Sequence, residues 1–305
     1  MKRFALKLLL FLLIFLAYDK LFLMVANRSA EIEVDKRLEY LVNGQINKDL
    51  VIIGSSRGSR DIMAYQIEEQ TGLSTYNLCY PGSDVVFHDF IMQTLLKFNE
   101  APDLMVLVVD DSEAFVDGGA RILFRRDRLY PLVKYPYVWK EMAKRGYLDK
   151  DLAGAVVLQR LNKYNFDLRQ KSFTPIDTII ECGSMPVSWQ QKGLDWDYSS
   201  LERTYPLDLE IQEKVIAFQN MIQTCEEMDI KLMILFPPNY RAHSQAFEDR
   251  VRLLGGQHPY FRLYDTENPI YRDKDYYYDT NHLMRKGANI YTEEVIAYIN
   301  ELTGD

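Results

Sequence analysis

The chain has 305 residues, 48% apolar and 26% charged, enough for one large buried core with an additional element beside it. Its 36 Lys/Arg and 44 Asp/Glu leave a net charge of −8. That excludes a general nucleic-acid binder, because neutralising phosphates requires a basic surface.

The predicted elements begin with a localisation signal. Lys2, Arg3 and Lys7 precede an unbroken apolar run over 8–17, which Tyr18, Asp19 and Lys20 separate from a second run over 21–26. Ten helical residues reach about 15 Å, too short for a hydrocarbon core of about 30 Å, whereas 8–26 reach about 28 Å with Asp19 and Lys20 inside. Those two residues can snorkel or sit near an interface. Residues 1–29 are expected to form a signal anchor, with a cleaved signal peptide or a helix of a cytosolic protein as alternatives; no small-x-small cleavage site follows. Basic residues ahead of the run place the N-terminus in the cytoplasm and the body, 30–305, on the extracytoplasmic (periplasmic or cell-surface) face.

Residues 30–47 are charged and helix-compatible. Leu50-Val51-Ile52-Ile53 reads as a buried strand ended by Gly54-Ser55-Ser56-Arg57. A helix is expected over 61–70, stopped near Gly72, then a weaker strand at 75–78 before Pro81-Gly82-Ser83. A helix over 85–98 and a strong strand over 104–109, ending at Asp110-Asp111, follow. Later come a helix over 208–228, an apolar strand over 230–236, a last strand at 261–264 and a closing helix over 288–302. Continuously apolar strands alternating with helices predict an α/β fold, a three-layer α/β/α sandwich around a parallel sheet. Ligands in such sheets sit at the carboxyl ends of the strands, and Ser56, Gly82 and Asp110 all fall just past such ends.

Between 115 and 205 this rhythm lapses into an expected helical insertion. Residues 118–175 carry thirteen Lys/Arg against five Asp/Glu, opposite in sign to the whole chain. Tyr130, Tyr135, Tyr137, Trp139, Tyr147 and Tyr164 are interleaved with them. One reading is a solvated insertion whose basic stems cover apolar surface. The other is a cap that meets an anionic substrate or lipid headgroups.

The chemistry-bearing residues lie far apart in the chain. Ser56 follows a strand, while Asp279 and His282 stand three apart ahead of the closing helix. Together they supply a nucleophilic triad: His282 takes the hydroxyl proton, and Asp279 fixes its tautomer and stabilises the imidazolium. Singly, each has a plainer reading, Ser56 as a helix cap and Asp279 as the cap of the final helix. Arg57 is read as structural or anion-binding. His88, His243 and His258 have no carboxylate spacing and are read as surface or packing residues. Tyr276-Tyr277-Tyr278 either packs around the final loop or lines an acyl pocket. Cys79, Cys182 and Cys225 form no metal or disulfide pattern and are read as buried thiols, with one pairing in an oxidising compartment as the alternative. No phosphate-binding loop, dinucleotide fingerprint or zinc motif occurs, so neither cofactor nor metal is expected.

These blocks resemble the SGNH/GDSL hydrolase superfamily over roughly 50–112 and 206–302. In that family a Gly-Asp-Ser block carries the nucleophile, and here Gly54-Ser55-Ser56 implies Ser56. Asn77-Leu78 with Pro81-Gly82-Ser83 looks like the second block, which implies an oxyanion hole from the Ser56 and Gly82 amides. Asp279 and His282 match the Asp-x-x-His block. The Gly-Ser-Ser variant, with His282-Leu283 followed by Gly287-Ala288, looks especially like the membrane-attached branch that handles acyl groups on envelope glycans, as in alginate acetylation and teichoic-acid D-alanylation. One block departs. The family's Gly-x-Asn-Asp is replaced by Val109-Asp110-Asp111-Ser112-Glu113, without the Asn that donates a third oxyanion hydrogen bond. Losing such a donor costs about 3 kcal/mol of transition-state stabilisation. Ser112 is the candidate substitute, and Arg57, Asp110, Asp111 and Ser112 are candidate substrate or anion contacts.

The implied activity is serine-dependent hydrolysis or O-acyl transfer on an acylated cell-envelope carbohydrate or a small ester, with a membrane-bound O-acyltransferase as a partner. The alternatives are a non-catalytic module of the same fold that binds envelope glycan or that acyltransferase, and a peripheral lipid-binding scaffold.

Overall fold

The computed structural model describes residues 1–111, 114–119, 122–192 and 196–304. In chain order, α1 (Lys2–Ile32) and α2 (Arg37–Val42) precede β1 (Leu50–Ile53). Next come α3 (Ser56–Asp61), α4 (Ala64–Thr71), β2 (Thr75–Asn77), α5 (Val85–Phe98) and β3 (Leu104–Val108). Four short helices follow: α6 (Arg126–Leu129), α7 (Pro136–Lys144), α8 (Lys150–Ala155) and α9 (Lys163–Phe166). The chain closes with α10 (Gln212–Glu227), β4 (Lys231–Phe236), α11 (Gln245–Gly255), β5 (Tyr260–Leu263) and α12 (Arg285–Thr303).

The five strands form one parallel sheet in the order β2-β1-β3-β4-β5. Val51 pairs with Tyr76 on one side and Met105 on the other, and Met105 pairs onward with Leu232. Strands β1, β2 and β3 are buried at every position, which explains the unbroken apolar runs of β1 and β3. Leu50, Ile52, Leu104, Val106, Met233 and Leu235 share one cluster with Ile67 of α4 and with Tyr291, Val295 and Ile299 of α12. The alternate residues Val51, Ile53, Met105, Leu107 and Ile234 are just as buried. Helices α5 and α10 pack on each other and reach β1 and β4 respectively. Each such side chain contributes about 1.5–3 kcal/mol when fully buried.

Two helices differ from expectation. The helix expected over 61–70 starts earlier and breaks: α3 runs from Ser56 to Asp61, Ile62 is extended, and α4 resumes at Ala64. The Ser-Arg-Gly-Ser-Arg stretch has no apolar period, so it becomes helical for a tertiary reason, its fit against the sheet. A Cβ on Gly58 would lie 2.5 Å from Cys79 Sγ, and one on Gly54 would lie 2.9 Å from Val108 Cβ. Helix α11 was not anticipated at all; Ser244 caps it by accepting the Phe247 amide.

Packing divides the chain into two compact units, Met1–Glu39 with Arg125–Ser172 and Tyr40–Phe124 with Phe173–Asp305. The span 115–205 singled out by its lapsed rhythm thus encloses a segment packed with the N-terminal helix, while residues from Phe173 onward belong with the sheet.

Within the first unit, α1 is long and apolar enough to cross a membrane, with a mean hydropathy of 2.4 in its apolar window. Residues 2–18 are exposed on every side. From Asp19 a buried stripe begins, continued by Phe22, Ala26 and Ala30 at helical spacing. This part of α1 packs against α9 and the 3₁₀ turns Tyr130–Leu132 and Val157–Arg160. Asp19 neither snorkels nor faces solvent: its Oδ1 accepts the Leu158 amide at 2.8 Å, with Lys20 at 3.1 Å. Several of the basic side chains in 125–172 are paired inside this unit, among them Lys134 with Glu39 at 2.9 Å and Lys171 with Glu33 at 2.6 Å. Arg121 lies outside the described residues.

Candidate active site

Strand β1 ends at Ile53 and delivers a tight turn, possible because Gly54 has no side chain to strike Val108. Ser55 is the N-cap of α3, and Ser56 is its first residue. At the other end of the site, a bridge between Tyr277 and Leu283 closes a short loop, with Tyr278 N–H donating to His282 O at 2.8 Å. Inside that loop Asp279 Oδ1 accepts the amides of Asn281 at 2.8 Å and His282 at 3.0 Å. The three-residue spacing therefore lets one carboxylate hold both the loop and the ring. His282 Nδ1 lies 2.8 Å and 3.0 Å from the two Asp279 oxygens, and His282 Nε2 lies 2.7 Å from Ser56 Oγ. The fold thus joins the two distant sequence blocks into one hydrogen-bonded chain.

The electrostatics suit a proton acceptor. Burial pushes the His282 imidazole below its ordinary value, and Arg60 and Arg57 add to this against the pull of Asp279. Burial opposes charge on Asp279, but the His282 ring and the loop amides outweigh it and hold the carboxyl below the usual range. A neutral imidazole beside an ionised carboxylate and a hydroxyl is the arrangement that activates a serine.

Gly82 sits in a turn with φ +70°, in the left-handed region that favours glycine. Its loop is tied to the turn that carries Ser56, since Tyr80 N–H donates to Gly54 O at 2.9 Å and Ser83 Oγ to the same oxygen at 3.3 Å. The Ser56 amide, in the first turn of a helix, has no intrahelical acceptor. Asn77 is a clamp beneath the site: its Nδ2 donates to Gly58 O at 2.8 Å and to Ile62 O at 3.2 Å.

The turn after β3, Asp110-Asp111, has a definite geometry. Asp110 accepts from Ser55 Oγ and lies 3.6 Å from Arg57 Nε. Arg57 is buried, with Nη1 also 3.5 Å from Pro237 O, and Asp111 pairs with Arg203 at 3.5 Å. Ser112 and Glu113 lie outside the described residues.

No family model matches the chain, and no curated protein is significantly similar to it.

Sequence reasoning missed Asp61. This fully buried residue accepts the Leu283 amide at 3.0 Å, bracing the His282 loop from α3. Burial, with Asp110 and Asp279 nearby, pushes its carboxyl well above the usual range despite Leu283 and Arg57. No local pattern marks it, because its partner is a backbone amide more than two hundred residues away. His243 needs a correction: its Nε2 lies 2.7 Å from Glu248 Oε2, a pairing hidden because α11 was not foreseen. His88 is buried and bonds Ser83 Oγ at 2.8 Å; burial and Lys214 push it down to about 3, so it stays neutral. Tyr277 is buried and donates to Tyr271 O at 3.2 Å, a packing role, and the three cysteines are free thiols, with Cys182 only partly buried.

Proposed function

We propose that this protein is a membrane-attached, extracytoplasmic serine esterase or O-acyltransferase of the SGNH/GDSL type, acting on an acylated cell-envelope carbohydrate. The hydrogen-bonded chain from Ser56 through His282 to Asp279 carries this reading. Ser56 attacks the ester carbonyl, His282 takes the proton and returns it to the leaving group, and the Ser56 and Gly82 amides receive the oxyanion. Water as acceptor gives hydrolysis; a sugar hydroxyl gives transfer. The same reading makes the sheet the middle of a three-layer sandwich, with α5 and α10 on one face and α3, α4 and α12 on the other. It makes α1 a signal anchor, supported by the helix's length and hydropathy. A membrane-bound acyltransferase is the partner it implies for transfer.

A fluorophosphonate probe tests the assignment, because only an activated serine labels. Wild type should label; Ser56→Ala should not, with its melting temperature nearly unchanged, and Ser55→Ala should still label. Asp279→Asn should lower turnover of a short-chain ester by about 10⁴-fold through the wrong His282 tautomer. Labelling that survives Ser56→Ala would move the nucleophile elsewhere. A second reading, a non-catalytic glycan- or acyltransferase-binding module, rests on Asp110 and Asp111, acids in the stretch where the family has its oxyanion-binding Asn. A wild-type protein that never labels would favour it.

A further inference from the structure

The acid inside the apolar N-terminal helix marks where that helix must leave a bilayer. Residues 2–18 are exposed all round and rise about 25 Å, with Lys2, Arg3 and Lys7 in the first turns. A hydrocarbon core is about 30 Å thick. Beyond residue 18 α1 is no longer free, since Asp19 is buried under the Val157–Arg160 turn and bonded to the Leu158 amide at 2.8 Å. The free stretch is too short to cross unless the protein surface level with Asp19 enters the lipid interface.

The composition of that surface suits such a place. Helix α8 is tied to the turn, since Arg160 Nε donates to Ala153 O at 2.9 Å. Leu152 and Leu161, on either side of the turn, are 46% and 43% exposed. The Arg160 guanidinium lies 4.4 Å from the Trp139 ring centre, and Lys163 is exposed just beyond. Leucine, tryptophan and basic side chains beside an apolar helix make the mixture found at membrane–water boundaries. The far end of the same helix is different. About 20 Å further along, Glu33 pairs with Lys171 at 2.6 Å and Asp35 with Arg37 at 2.8 Å. The unit is therefore graded along α1, from apolar through mixed to ionic.

We propose that residues 150–161 form a membrane-interface contact, a collar around α1 that seats on the phospholipid surface and sets the depth of the helix. This rests on the reading of α1 as an anchor. Leu152 and Leu161 reach the acyl boundary, and Asp19 is kept out of the hydrocarbon by its bond to Leu158.

The test is depth-dependent quenching in the full-length chain reconstituted into phosphatidylglycerol–phosphatidylcholine vesicles. An environment-sensitive fluorophore is placed on a cysteine introduced at Leu12, Leu152, Leu161 or Glu31, in a Cys182→Ser background that keeps only the buried Cys79 and Cys225. Labels at 152 and 161 should be blue-shifted and quenched by lipids spin-labelled near the headgroup. The label at 12 should respond to deep quenchers, and the label at 31 to neither. A quenched label at 12 with unquenched labels at 152 and 161 would overturn the collar while leaving the anchor standing. An unquenched label at 12 would remove the anchor, and the collar with it.

Discussion

His282 receives opposing instructions from its surroundings, and the balance sets a measurable pH dependence. Burial and two nearby arginines disfavour the imidazolium more than Asp279 favours it, so the ring loses its proton below the ordinary 6.5. A general base must be neutral, and the acid limb of kcat/KM reports its titration in the free enzyme. The limb for a short-chain ester should therefore lie below 6.5, with activity kept in mildly acidic buffer; a limb at or above that value would contradict the assigned environment. Asp61 carries a different prediction. Its carboxyl titrates higher in the fold than in the unfolded chain, so its stabilising share is present at low pH and is lost as pH rises through the raised value. Asp61→Asn is neutral throughout and keeps an acceptor for the Leu283 amide. Its melting temperature should exceed wild type at pH 8, and the gap should close towards acid. Asp61→Ala leaves that amide unpaired and should cost about 1–3 kcal/mol. An Asn variant less stable than wild type at pH 8 would mean that the Asp61 carboxyl is not raised by the fold.

At the scale of elements, α3 is the piece whose position matters most, because six residues carry Ser56, the proposed nucleophile, at one end and Asp61 at the other. It is too short to hold itself and has little helix propensity, so packing places it. Gly58 is the close contact: a Cβ there would meet Cys79 Sγ at 2.5 Å and Val108 Cγ2 at 3.2 Å. Gly58→Ala should destabilise by about 1–3 kcal/mol through overpacking and slow fluorophosphonate labelling by tilting Ser56 away from His282. Adding Cys79→Ala opens the space and should restore both melting temperature and labelling rate. If the single variant behaves as wild type in both measurements, α3 has more freedom than this packing allows. The element was hard to read in the sequence for the same reason. Helix α5, by contrast, runs over 85–98 as expected, because its apolar residues recur at helical spacing and Asp84 caps it by accepting the Phe87 amide.

For the whole molecule, the anchor reading makes a prediction independent of the chemistry. On that reading Lys2, Arg3 and Lys7 hold the N-terminus on the cytoplasmic side, and α1 stays attached. The chain should remain in the pellet after alkaline extraction, and protease added to spheroplasts should digest it from Ala30 onward. Full protection, or release at high pH, would count against this topology.

Much of the sheet and the site was legible because its signals are local. Strands with no polar residue to face solvent, such as Val51-Ile52-Ile53, announce burial on both sides, and a Gly-Ser-Ser turn or an Asp-x-x-His loop depends on a few neighbouring residues. The charge and apolar run of residues 1–26 are likewise properties of composition. Other features exist only once distant segments are packed. The 2.7 Å contact between Ser56 and His282, the support of Leu283 by Asp61, the pairing of Asp110 with Ser55 and Arg57, and the capture of Asp19 by Leu158 each join residues dozens to hundreds of positions apart. Periodicity and turn chemistry do not encode such partners, because a polar side chain is free in water to choose any of them. Burial removes that choice: once desolvated, each must be paired with whatever the fold brings within reach.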